Sequence, residues 1–410
     1  MLMTFFNSID IDKNSIQLMT TITFRAWILV FLIIAVLAAC SKDNETPPEK
    51  EKVQVAIAEV DQSVEKFLTD YGFPGGSLAI SKNGKLVYRQ GYGLADKESG
   101  AKVTVDSRFR IASVSKLITS AAVMKLIQDG KLSINQRVFG IEGVLGTEYG
   151  TQPYKAHVTA ITLNDLLHHT IGGWGQDNDP AFWDKHLDAT AVINQTLDSR
   201  ALSGAPGTTF AYSNFGYMLL AKIVEKASGK SYEQYVKSEI LEKVGATKTT
   251  IAGATLADRQ TDEVKYYGQG GDANYVYDYT QFARGNGAMG WLSTPTDLLR
   301  FANAVDGLPG RPDLLNAEAI KTMTTVLPAS KGFGFNFGCG WVVEGDEWFW
   351  WGSLPGTFAM LYRNGEGTCI AATTNGRRQP NPEVALNGFI NVVNFIAFDE
   401  TIGWQDIDQF

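Results

Sequence analysis

The chain is poor in the residues that metal and disulfide chemistry require. Its 410 residues include 3 cysteines and 4 histidines. No Cys-x-x-Cys occurs, and His157, His168, His169 and His186 form no i,i+4 pair, so metal ligation is unsupported. His168 and His169 are expected to be one structural and one exposed helix residue. Cys339 and Cys369 fall in strand-like segments; an exported protein could pair them, and free buried thiols are the simpler expectation. No Gly-x-Ser-x-Gly elbow is present, which argues against an α/β-hydrolase with Ser-His-Asp chemistry. There is no internal repeat. Positive charge is also in deficit: the net charge of -8 argues against nucleic acid or anionic lipid as a partner.

What the chain does have begins with a leader. Arg25 precedes the apolar run Ala26 to Leu37, and Ala38-Ala39-Cys40 follows. A positive residue, an apolar stretch and a small-residue cleavage site make a signal peptide. The stretch is short for a membrane span. Cysteine directly after Leu37-Ala38-Ala39 resembles the lipobox of bacterial lipoproteins, in which that cysteine is lipidated. The alternatives are a plain signal peptide or an anchoring helix. Residues 1–39 are read as the signal, with translation starting as late as Met19, and 40–52 as the lipidated Cys40 and a polar tether stiffened by Pro47-Pro48. This implies a membrane-anchored protein on the periplasmic side or outer surface of a Gram-negative bacterium. The folded domain would occupy residues 53–405.

Apolar residues at Val53, Ile57, Val60, Val64, Phe67 and Leu68 have helical spacing, and Gly72 and Pro74 end the pattern. Asn83-Gly84 between two apolar runs marks a hairpin. Residues 131–300 read as mostly helical and irregular, including helices at Tyr217–Ala227, Ser231–Val244 and Thr294–Val305. The period then changes to two. Strands are expected at 341–343, 347–351, 357–363 and 368–374, and a last helix from Pro382 towards Phe398. Strands at both ends and helices between them predict an α/β (α+β) fold: one antiparallel sheet flanked by the terminal helices, with a helical insertion.

The chemistry centres on Arg110-Ile111-Ala112-Ser113-Val114-Ser115-Lys116-Leu117. The helix that follows is apolar on nearly every side and belongs in a core. Residues three apart share a helix face, so Lys116 can reach the Ser113 hydroxyl. An unpaired lysine is costly to bury, and one that gives up its proton can activate a serine. Ser-x-x-Lys also occurs at Ser63–Lys66, inside an amphipathic helix, and at Ser99–Lys102, in a loop; only Ser113 opens a buried helix. The plainer reading makes Ser113 an N-cap and lets Lys116 snorkel to water.

Tyr212-Ser213-Asn214 supplies candidate partners. A phenol could act as a base if an adjacent ammonium lowered its pKa, and Asn214 could bond the lysine or a substrate amide. Ser113-x-x-Lys116 with Tyr212-x-Asn214 about a hundred residues on resembles the penicillin-recognising serine hydrolases. The branch is that of class C β-lactamases, family VIII esterases and D-alanyl-D-alanine peptidases. Ile161 to Thr170 resembles the family's "LLxHTSG" helix, Pro206 to Asn214 its "PGxxFxYSN", and Ser293 to Leu298 its "STxxDLxRF". The match covers about residues 55–400. It implies Ser113 as nucleophile, Lys116 as its activator, Tyr212 as acid/base, no cofactor, and an oxyanion hole using the Ser113 N–H.

The third motif departs from the pattern. Neither Lys-Thr-Gly nor His-x-Gly occurs, and alignment places Trp350-Trp351-Gly352 there, with Ser353 N–H completing the oxyanion hole. Trp-x-Gly resembles a variant seen in some family VIII esterases. A cation on that strand helps bind a substrate carboxylate, whereas Trp350 offers an apolar wall suited to an uncharged ester or amide. Arg284 or Arg377 could stand in for the cation. The expected activity is carboxylesterase-like, on a small ester or amide, by a monomer. The alternatives are D-Ala-D-Ala carboxypeptidase or β-lactamase action on a cell-wall peptide or β-lactam, and a non-catalytic cell-wall binding relic.

Overall fold

A computed structural model describes residues 56–268, 275–278, 282–377 and 382–410. The leader, Cys40 and the tether lie outside the described residues. Helix α1 (Ala58–Tyr71) buries Val60, Val64, Phe67 and Leu68 and stops at Gly72, whose φ of 66° few other residues accept. Strands β1 (Gly75–Lys82) and β2 (Lys85–Asp96) are joined by Asn83 and Gly84, both at positive φ (50° and 76°), the turn that matches strand twist. The short β3 (Ala101–Lys102) follows, so Lys102 sits in an edge strand rather than the expected loop.

After a single 3-10 turn at Ala112–Val114 comes α2 (Ser115–Gln128), buried on nearly all sides. Further on are α3 (Asn214–Ser228), closed by Gly229 in the left-handed region, and α4 (Pro295–Ala302), capped by the Thr294 side chain. The segment expected as one helix at Ser231–Val244 instead passes from α-helix through a π turn at Lys237–Leu241 to a 3-10 turn. The last third holds the small hairpin β4 (Lys331–Gly332) and β5 (Phe335–Asn336). It continues with β6 (Val342–Glu344), β7 (Glu347–Leu354), β8 (Thr357–Arg363), β9 (Thr368–Thr374) and the helix α5 (Pro382–Phe398).

Both chain ends build one 7-stranded antiparallel sheet in the order β6-β7-β8-β9-β1-β2-β3. The join is β1 with β9, where Leu78 faces Ala372 and Ile80 faces Ile370. Alternation gives the sheet two faces. On one, Gly76 lies against Leu68 of α1, and Phe358 meets Phe389 of α5 at 5.7 Å between ring centroids. On the other, Ser81 accepts a hydrogen bond from Asn303 just after α4 (2.9 Å), and Gly352 abuts the Ala112–Val114 turn. The site forms on this second face. Cys339 and Cys369 are buried free thiols. Among the described residues, no helix is long and apolar enough to cross a membrane.

Candidate active site

The turn that carries Ser113 is fixed from three directions. Ile111 N–H donates to Trp291 O (3.0 Å), the Thr357 hydroxyl donates to Arg110 O (2.7 Å), and Arg110 N–H donates to the Tyr266 hydroxyl (2.8 Å). Ala112 is held at φ 46°, a conformation that costs a residue with a Cβ and recurs at functional turns. The turn presses on β7 at Gly352, where a Cβ would stand 2.1 Å from Ile111 O and 2.8 Å from Ser113 N. Only glycine fits there.

Ser113 is half-buried and Lys116 is wholly enclosed. Lys116 Nζ donates to Ser113 Oγ (3.2 Å), Asn214 Oδ1 (2.7 Å) and the carbonyl of Ala288 (2.9 Å). It does not snorkel. Burial brings its pKa down to about 7, against a smaller upward pull from Asp179. The lysine is therefore poised to be neutral near physiological pH, the form that can accept the serine proton.

Tyr212 does not behave as a phenol beside an ammonium is expected to. Lys116 Nζ lies over the ring, 4.8 Å from its centroid. Burial drives the phenol pKa up; the Ser113 hydroxyl and Trp350 indole pull the other way without meeting hydrogen-bond geometry. The phenol keeps its proton. Tyr212 Oη, Trp350 Nε1 and Ser353 Oγ are buried without hydrogen-bond partners among the described residues. Ring centroids of Tyr212 and Trp350 are 5.5 Å apart, so two unspent N–H and O–H donors share one wall of the site.

The edge of β7 supplies a backbone donor. A two-residue Pro355-Gly356 turn makes Leu354 and Thr357 the closing pair of the β7–β8 hairpin, and Asn364 N–H bonds Thr368 O across β8 and β9. Antiparallel alternation then turns Ser353 N–H away from β8, towards the outer edge of β7. β6 pairs only with residues 347–349, so it leaves this edge open.

Neither histidine is exposed: both are fully buried. His168 bonds the carbonyls of Asn164 and Thr325, and His169, at φ 58° and outside the helix, stacks 4.4 Å from Tyr212. The reason is that helix Leu163–Leu167 ends a residue early, turning His169 under the tyrosine. Burial, and then the nearby Lys116, hold the His169 pKa well below its ordinary value.

Arg284 cannot replace the missing cation. Both terminal nitrogens of its guanidinium are committed to the carbonyls of Asp184, Leu187, Ala181 and Trp183. Arg377 lies in a two-residue strand paired with Tyr267–Gly268. Sequence reasoning missed two further contributors. Asp179 is buried against the start of α3, and its only sequence signal is a turn-forming Asn178-Asp179-Pro180. Phe333, at the tip of the β4–β5 hairpin, is exposed (58 %) with its ring 5.9 Å from that of Tyr212.

Comparison with known proteins agrees with this fold. The Beta-lactamase family model matches residues 60–394. Penicillin-binding protein 4* of Bacillus subtilis (strain 168) is 26% identical over 66% of this chain; the chain spans 59% of that relative's length. The structure of a class C beta-lactamase superposes with a TM-score of 0.68 at 22% identity, covering 84% of this chain and 96% of that one. That of D-amino acid amidase from Ochrobactrum anthropi SV3, complexed with L-phenylalanine amide, gives 0.67 at 22% identity, with 84% and 100% covered. The chain belongs to the Beta-lactamase family, a family of serine hydrolases with the β-lactamase and penicillin-binding fold.

Proposed function

We propose that this hydrolase cleaves uncharged esters or amides through an acyl-enzyme on Ser113, with carboxylesterase-like activity. The observation that carries this is Lys116, wholly buried and 3.2 Å from Ser113 Oγ, together with Trp350 where a cation would recognise a carboxylate. Neutral Lys116 takes the Ser113 proton as Oγ attacks the substrate carbonyl. The N–H groups of Ser113 and Ser353 receive the oxyanion. Tyr212, kept protonated, donates its proton to the departing alkoxide or amine, and the Lys116 ammonium then gives the proton taken from Ser113 to the tyrosinate, restoring both groups. Water then hydrolyses the acyl-enzyme by the reverse route. Trp350 and Phe333 form an apolar wall beside the reacting carbonyl.

The second reading, carboxypeptidase or β-lactamase action, is favoured by the family itself but requires a cation for the substrate carboxylate. A charge-assisted bond is worth roughly 1.5–3 kcal/mol, so its loss handicaps such substrates on the order of 10–100-fold. The test is a panel of nitrophenyl acetate, a chromogenic cephalosporin and a D-Ala-D-Ala peptide on residues 41–410. Ester turnover with slow or absent β-lactam and peptide cleavage supports the esterase reading. Efficient cleavage of either carboxylate substrate rejects it. Anchoring through lipidated Cys40, on the periplasmic side or outer surface, is part of the same proposal and rests on the leader sequence.

A further inference from the structure

Asp179 is a carboxylate almost wholly removed from water, and among the described residues no cation touches it. Its exposure is 4%, and both oxygens are taken by protein donors. Oδ1 accepts from the N–H groups of Ala181 (3.0 Å) and Phe215 (3.0 Å). Oδ2 accepts from Asn214 N–H and from Asn214 Nδ2 (3.1 Å). The amide of Asn214 is thus gripped on its nitrogen side, which leaves Oδ1 to face Lys116 at 2.7 Å. An Asn side chain has no intrinsic preference between its two ends. Turned over, it would present its own N–H groups to the ammonium.

We propose that Asp179 is a positioning residue for the reaction, acting through Asn214 to hold Lys116 against Ser113. This rests on the covalent role of Ser113 and Lys116 argued above. The relay Asp179–Asn214–Lys116 joins a loop, the first residue of α3 and the second residue of α2, so it also fixes how those three elements meet. Capping α3 would need only the backbone bonds. The bond to Asn214 Nδ2 adds nothing to a cap and has a consequence for the lysine alone.

That consequence is electrostatic. The charged and titratable groups that face Lys116 among the described residues are Asp179, His169, Tyr212 and Tyr217. Both tyrosines are kept protonated and His169 is kept neutral by burial, so Asp179 is the anion that favours the protonated lysine. Removing its charge should let Lys116 lose its proton at lower pH.

The experiment is the rate at which a fluorophosphonate labels Ser113, measured against pH in the parent and two variants. The Ser113 oxygen displaces fluoride from phosphorus and its proton passes to Lys116, so the rate follows neutral lysine. In Asp179→Asn the labelling rate should fall at pH 8 by about 10-fold or more, as a positioned base is displaced. Its acid limb should move to lower pH by about one unit. In the exchange variant Asp179→Asn/Asn214→Asp the carboxylate meets Lys116 directly, and the limb should move to higher pH. A role confined to folding would lower the amplitude and leave the limb in place; that result overturns the proposal. Should Asp179→Asn fail to fold, the exchange variant, which keeps one carboxylate and one amide in the same volume, decides alone by the direction of its shift. Parent protein that is never labelled would instead overturn the covalent reading and this inference with it.

Discussion

Among the described residues, Lys116 Nζ stands over the ring of Tyr212, 4.8 Å from the centroid, and makes no hydrogen bond to its phenolic oxygen. A cation over a ring face is attracted to the π system and does little for ionisation at the ring's edge. The arrangement separates two roles that the sequence leaves entangled. The lysine is the group that can be neutral; the tyrosine is the group that keeps its proton.

The first expectation is a pH profile. The proton-accepting form of Lys116 is the neutral one, and its pKa is about 7. kcat/KM for nitrophenyl acetate should rise with pH through that value and level off above it. A profile that is flat between pH 6 and 8, after correction for spontaneous hydrolysis, would remove Lys116 from the base's role.

Tyr212→Phe deletes one oxygen that makes no hydrogen bond among the described residues. Stability should therefore change little while turnover falls about 10²–10⁴-fold, the range for a lost acid. Equal loss in thermal midpoint and in activity would make the residue structural. The readouts are calorimetry and steady-state rates on the same preparation.

Stability itself should carry the lysine's signature. The folded pKa is depressed to about 7 from 10.5, so the unfolded chain binds the extra proton between those values. Stability then rises with pH across that window. Relative to Lys116→Met, the parent should gain about 2 kcal/mol between pH 7 and pH 9, read from urea midpoints. A parallel dependence in both proteins would contradict the buried, proton-poor lysine.

Phe333 is exposed, so Phe333→Ala should move stability by no more than about 0.5 kcal/mol. If its ring lines the acyl side of the site, phenylacetyl esters should lose about 5–10-fold in kcat/KM while acetyl esters stay unchanged, matching a partial aromatic contact of about 1 kcal/mol. An equal effect on both esters would mean the hairpin acts on something other than the acyl group.

Cys40→Ser tests the anchor. The variant should appear in the soluble fraction, and the parent should incorporate labelled palmitate. Retention of the variant in membranes would show that the apolar segment remains as an uncleaved anchor.

Local signals were legible wherever the chain's own chemistry decides the outcome. Asn83-Gly84 adopts the double positive φ its identities suggest, Gly229 closes α3, and the period-two segments after residue 340 are strands. Ser113, Lys116, Tyr212 and Asn214 could be singled out because their types and spacings survive in one dimension. Asp179 could not, since its importance comes from meeting Asn214 35 residues away in sequence. The histidines misled for the opposite reason: helical periodicity was extended past Leu167, where the chain in fact turns into the left-handed region at His169. The direction of the Tyr212 shift depended on depth of burial and on where over the ring the lysine lies. Neither is written in spacing.

Gly352 touching the Ser113 turn also sets a timetable for the growing chain. The nucleophile is synthesised early, but the strand that shapes its pocket comes nearly 240 residues later, and that strand is held in place only once β9 has zipped onto β1. Contacts of such separation form slowly and together. A chain lacking β7 to β9 therefore carries serine, lysine and tyrosine without the strand on which the Ser113 turn packs, and turnover is expected only once those strands have joined β1.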